Sequence, residues 1–179
     1  MGNSVSLVWQ QNERNSLPSA ATTSPTPHLT PHAASASSPG MLSPRQSSVL
    51  LIQEYYETFN SGDREAFLDL LADEVAHDIN QGGCEVGKEA FRTFLQRMDR
   101  CYKEKVVELV TMASEDGKRG AAEFCIEGEY LSADEGLPPA TGQRYRLRVG
   151  AFFEIENRLV KRITNYYNLQ EWLRQVGAA

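Results

Sequence analysis

Hydrophobic positions in the first half of the folded chain follow a helical period. Ile52, Tyr55, Tyr56 and Phe59 are spaced by three and four residues, which gathers them on one face of a helix. Ser47 or Ser48 supplies a hydroxyl to cap its start. Asn60-Ser61-Gly62 tolerates a left-handed stop, and Asp63 offers an oxygen to the free amides of a second helix. The apolar stripe of that helix is Phe67, Leu70 and Leu71. A third helix is expected from Lys88 to Cys101, with Phe91, Phe94, Leu95 and Met98 on its inner face. Beyond it the period changes to two. Val106 to Met112, Arg119 to Leu131, Gln143 to Ile155 and Leu159 to Tyr167 read as strands. Glu115-Asp116-Gly117 and Asn157 mark hairpin turns, and Gly136-Leu137-Pro138-Pro139 breaks the remaining connection. A short helix around Leu169 to Gln175 closes the chain. No internal repeat is visible. Helices grouped first and antiparallel strands grouped last predict an α+β domain, with a curved sheet wrapped over the helices around a cavity.

Composition divides the chain in two. Residues 1 to 45 carry only Glu13, Arg14 and Arg45 as charges, although the whole chain has a net charge of -6. Pro18, Pro25, Pro27, Pro31, Pro39 and Pro44 lie there among many Ser, Thr and Ala. So little apolar surface cannot offset the cost of ordering a backbone, so 1–46 is expected to be a disordered extension and 47–179 the folded domain. The extension reads as a solvated tail, as an organellar transit peptide or, through Gly2 followed by Ser6, as a myristoylation site.

The longest apolar run, Val49 to Ile52, is far too short to span a bilayer. The acidic balance argues against a nucleic-acid partner. Cys84, Cys101 and Cys125 fit neither a disulfide framework nor a zinc motif, which points to a reducing compartment. The expected localisation is cytoplasmic, or organellar if the extension is a transit peptide, and the expected reaction uses no metal or cofactor.

The segment Val75-Ala76-His77-Asp78-Ile79-Asn80-Gln81-Gly82-Gly83 reads as a polar short strand ending in a glycine turn. Period-two geometry sets Ala76, Asp78 and Asn80 on one face and Val75, His77 and Ile79 on the other. With the Asp78 face inward, a carboxylate and an amide enter an apolar cavity, where desolvation strengthens Asp78 as a base. His77 then faces away, unless a strand-end bulge reverses the choice. Tyr55 and Tyr56 bring phenolic donors to the inner face of the first helix. Tyr56 reads as a core residue bonded to a backbone carbonyl and Tyr55 as a ligand donor. Arg144, Arg146 and Arg148 alternate along one strand as Glu123 and Glu127 do along another, a cross-strand charge ladder on a solvated or subunit-facing surface.

Leu51-Ile52-Gln53-Glu54-Tyr55-Tyr56-Glu57-Thr58-Phe59-Asn60-Ser61-Gly62-Asp63, continued by Leu71-Ala72-Asp73-Glu74, resembles the opening of ketosteroid isomerases and SnoaL-like proteins of the nuclear transport factor 2-like superfamily. His77 to Gly82, Gly150 to Ile155 and Thr164 to Asn168 are similar to the ketosteroid isomerase-related subgroup, so the resemblance spans about 47–175. It implies a cone-shaped, mostly antiparallel curved sheet packed on three N-terminal helices, an apolar pocket and a homodimer formed through the outer sheet face. It also implies roles: Tyr55 as oxyanion donor and Asp78, at or one position from the family's base, as catalytic base. Asn80, His77 and Tyr56 are the expected ligand contacts. The second oxyanion acid of the family has no counterpart, because Val149-Gly150-Ala151-Phe152 contains no carboxyl. The expected activity is a cofactor-independent isomerase or cyclase acting on a small apolar carbonyl compound. One alternative is a non-catalytic ligand-binding or dimerisation module of the same fold. Another is epoxide-hydrolase-like water activation, which needs Arg146 or Arg148 to point inward.

Overall fold

A computed structural model describes residues 42–80 and 82–177. Helix α1 runs from Pro44 to Ser61, and so begins at least four residues earlier than a cap at Ser47 or Ser48 predicts. Ser43 is the cap: its hydroxyl accepts from the Gln46 amide, and the Gln46 side chain returns a bond to the Ser43 amide. Pro44 fits the first helical position because no amide hydrogen is needed there. Gly62, at φ 79°, ends the helix in the left-handed conformation. Asp63 caps α2 (Arg64–Asp69) through the Ala66 amide. That helix is short, and Leu71, expected on its stripe, instead begins β1 (Leu71–Asp78). After β2 (Cys84–Val86), α3 occupies Lys88–Cys101 as predicted and leads without a loop into β3 (Tyr102–Ala113). The hairpin strands β4 (Arg119–Tyr130) and β5 (Gln143–Glu156), then β6 (Leu159–Tyr167) and α4 (Leu169–Val176), complete the domain. The expected extension falls almost wholly outside the described residues.

The six strands form one curved, mostly antiparallel sheet in the order β2-β1-β6-β5-β4-β3, with β1 and β6 the parallel pair. Strands of 12 to 14 residues are too long to stay flat over a small core, and irregularities in register bend them. One lies in β3 between Val107 and Val110, where Glu108 adopts φ 56°. Alternation sorts the sheet into an inner and an outer face. Tyr145, Leu147, Val149, Ala151, Phe153 and Ile155 of β5 point inward and are all buried. Their outward neighbours include the three arginines.

Polar clips fix α1 on the sheet. The Asn60 side chain bonds both the amide and the carbonyl of Val106 on β3. At the other end the buried Ser48 hydroxyl donates to the Gly117 carbonyl at 2.6 Å. Gly117, at φ 68°, packs so closely on Pro44 that a Cβ there would lie 2.6 Å from its carbonyl oxygen. Among the described residues no helix is long and apolar enough to cross a membrane.

Candidate active site

The register of β1 against β6 decides which way its side chains face. His77 lies beside Ile163 and Asp78 beside Thr164. Ile163 is fully buried on the inner face, so His77 turns inward with it. The imidazole stacks on Phe91 at 4.5 Å between ring centres and meets Phe94 edge-on at 4.4 Å, both from α3. It is 3% exposed, and its Nδ1 has no hydrogen-bond partner. Burial pushes its pKa down to about 4; the nearby Asp78 charge opposes the shift and Arg97 adds to it. The ring is therefore neutral at physiological pH.

Asp78 corrects the expected parity. Its carboxylate accepts from Arg162 Nη1 at 2.8 Å to each oxygen and from the Thr164 hydroxyl at 2.8 Å. Those bonds hold it below the usual carboxylate range, the reverse of the shift expected for a desolvated base. Arg162 also approaches Glu154 at 3.7 Å, so Asp78 belongs to a charged network on the outer face. Asp78 and Tyr55 do not converge. Nor do Asp78 and Asn80 act as a pair, since the Asn80 amide donates to the Tyr167 carbonyl at 3.3 Å.

Tyr55 and Tyr56 are both buried beneath α1. Tyr55 packs on Phe67 at 4.4 Å and edge-on to Phe153 at 5.5 Å, while Tyr56 lies 4.6 Å from Phe124. Burial raises both phenols far above their ordinary range, so both remain protonated donors. The Tyr56 hydroxyl finds no backbone carbonyl and is left without a partner. Among the described residues, Tyr56 Oη and His77 Nδ1 thus remain without partners in the layer between the helices and the sheet, where an orphaned group is costly.

Sequence reasoning missed a second polar group on the inner face. The Tyr145 hydroxyl donates to Glu104 Oε1 at 2.5 Å, and the Tyr102 hydroxyl donates to Asp134 at 3.1 Å. Both arise where β3 begins, four residues ahead of its predicted start. The alternation of Tyr102, Glu104 and Val106 is the sequence signal that would have found Glu104.

The charge ladder forms as expected. Arg146 pairs with Glu127 and Glu108, and Arg148 with Glu123, all on the outer face. Neither arginine enters the interior, so the water-activating arrangement lacks the arginine it requires. Two concavities lie away from His77. One, of about 790 Å³, is an open groove between the start of α1 and the turns around Gly117 and Asn157; the other, of about 290 Å³, sits over the bulge of β3. No group of three or more His, Cys, Asp or Glu suited to a metal ion occurs among the described residues.

Residues 52–163 match the model of the SnoaL-like domain. The chain belongs to the SnoaL-like family. Its fold is that of nuclear transport factor 2-like proteins. A putative polyketide cyclase from Pseudomonas putida is 50% identical over 72% of this chain and 97% of its own, with a TM-score of 0.71. One from Xanthomonas campestris is 50% identical over 74% of this chain and 98% of its own, with a TM-score of 0.72. A third, from Silicibacter, is 43% identical over 75% and 98%, with a TM-score of 0.73. An LEH-like epoxide hydrolase from Mycobacterium tuberculosis, 13% identical with a TM-score of 0.57, shares the fold alone. No curated protein matches.

Proposed function

We propose that this SnoaL-like domain is a cofactor-independent cyclase or isomerase that moves a proton on a small apolar carbonyl compound held between the helices and the sheet. The proton acceptor is His77. The observation that carries this reading is a buried, neutral imidazole on the inner wall whose Nδ1 has no partner. Such a ring accepts a proton from a carbon beside a carbonyl, and its low pKa rises as the negative enolate forms next to it. The protonated Tyr56 hydroxyl, also unpartnered, donates to the developing oxyanion. Tyr55 shapes the apolar wall beside it. Asp78, the expected base, is replaced in that role because its oxygens are occupied by Arg162 and Thr164.

Benzoylacetone, a 1,3-dicarbonyl compound with an exchangeable carbon-bound hydrogen, tests the reading. Deuterium uptake followed by NMR is expected to be accelerated by the full chain and to fall about 10²-fold in His77→Gln, the scale of a lost general base. Asp78→Asn is expected to leave the rate within a few-fold. The opposite order would return the base role to Asp78.

The outer sheet face is the homodimer surface in this reading. Phe152 and Tyr166, 59% and 55% exposed, pack edge-on at 5.9 Å beside the Asp78–Arg162 pair. Exposed aromatic rings flanked by charges suit a partner surface. In analytical ultracentrifugation the full chain is expected to sediment as a dimer and Phe152→Glu as a monomer. An unchanged sedimentation profile would place the interface elsewhere.

A further inference from the structure

At the α4 end of the cone, several inward-facing residues are only half-buried: Phe94, Tyr102, Glu104, Asn165 and Leu173. The inner layer is therefore open to solvent here, between α3, α4 and the start of β3. Glu104 is the carboxyl on this opening. Its neighbours come from every surrounding element: Tyr145 from β5, Tyr102 from its own strand, Tyr167 from β6, and Arg97 and Asp134, whose charges act with that of Glu104 on Tyr167. Arg97 reaches Asp134 at 3.7 Å and is half-exposed, so this cation is already engaged. Its charge also bears on His77.

The contact between Tyr145 and Glu104 is a built one. On the sheet, Glu104 of β3 lies beside Gly128 of β4, which lies beside Tyr145 of β5. The Tyr145 ring crosses directly over Gly128, where any Cβ would overlap it. Only a glycine lets the phenol reach across the intervening strand. Edge-on packing of Trp172 from α4, at 6.0 Å, holds the ring in place. The Tyr145 hydroxyl satisfies one carboxyl oxygen of Glu104, and the other has no hydrogen-bond partner among the described residues. Burial raises the affinity of this carboxyl for a proton, an effect the Tyr145 bond only partly offsets.

We propose that Glu104, aimed by Tyr145, is the acid of this site, donating to a carbonyl or hydroxyl oxygen of the substrate at the α4 end of the cone. The inference rests on the proton-transfer reading above and adds a substrate class: compounds that carry an oxygen function at the end nearest α4. In isomerisation, His77 takes a proton from carbon to give the enolate that Tyr56 stabilises, and Glu104 then gives its proton to the enolate oxygen, forming the enol. The carboxylate left behind keeps the Tyr145 O–H bond. When the His77 imidazolium reprotonates carbon, the enol oxygen returns its proton to Glu104, so no proton is gained or lost over the cycle.

The test uses the full chain with ¹³C in the glutamate carboxyls and ¹⁵N in the histidine rings, followed by NMR with benzoylacetone as the probe. One carboxyl resonance, absent from Glu104→Gln, is expected to titrate above the ordinary glutamate range, and further above it in Tyr145→Phe, where an opposing bond is lost. Benzoylacetone is expected to move both this resonance and the His77 ring nitrogens, and to bind Glu104→Gln at least five-fold more weakly. If the probe moves His77 but neither moves the Glu104 resonance nor loses affinity in Glu104→Gln, the acid role is overturned and the proton-transfer reading stands. If it moves neither residue, both are overturned.

Discussion

Acidifying the protein from pH 7 to pH 4 is expected to remove about 3 kcal/mol of folding stability through His77 alone. In the unfolded chain the imidazole takes up its proton as the pH falls through its model value of 6.5, whereas the folded protein holds it neutral down to about 4. Between those two values the unfolded state binds the extra proton, so stability declines as the pH falls. Above 6.5 both states are neutral and the loss is absent; below about 4 both are charged and it grows no further. Denaturant unfolding of wild type and His77→Phe at pH 7, 5.5 and 4 isolates this contribution. The phenyl ring keeps the packing on Phe91 and Phe94 but does not titrate, and carboxylate effects are common to both proteins. Equal losses in the two would mean that His77 is not held neutral by burial.

Phe153→Ala is expected to be the most damaging truncation in the core, costing about 3 to 5 kcal/mol in denaturant unfolding. The ring is 1% exposed and meets Tyr55 and Tyr56 of α1 on one side while its backbone pairs with Ile163 and Gly120. Its loss opens a void where helix and sheet join, directly beneath the two phenols. Leu50→Ala, on the outward face of the same helix and 48% exposed, is expected to change stability by no more than about 0.5 kcal/mol. Similar losses in the two variants would contradict the inner and outer assignment of α1.

Much of the fold is legible in the sequence because its elements are long and periodic. Helix α3 and strands β4 to β6 are recognisable from spacing alone. Strand β2 is not: Cys84, Glu85 and Val86 are all exposed, and they form a strand only by pairing with β1. The inner residue of β1 is hidden for a related reason. Val75, Ala76 and His77 are consecutively buried, and the register against β6 shifts between Leu71 and Ala76, so alternation gives no unique parity. Pairing of His77 with Ile163 makes the choice, and that pairing joins residues far apart in the chain. Glu104 is not legible as an inner residue because β3 follows α3 with no turn residues to mark the boundary. Spacing places Tyr55 and Tyr56 on the inner face, but which hydroxyl lacks a partner depends on contacts that spacing does not encode.

Gly128 shows how the inner wall of a sheet can owe its shape to atoms that are missing. A survey that shortens each side chain in turn would pass over this position, because nothing there can be removed. Its importance would surface only in the opposite experiment, in which a single methyl group is added and the ring of Tyr145 is denied its path across the sheet.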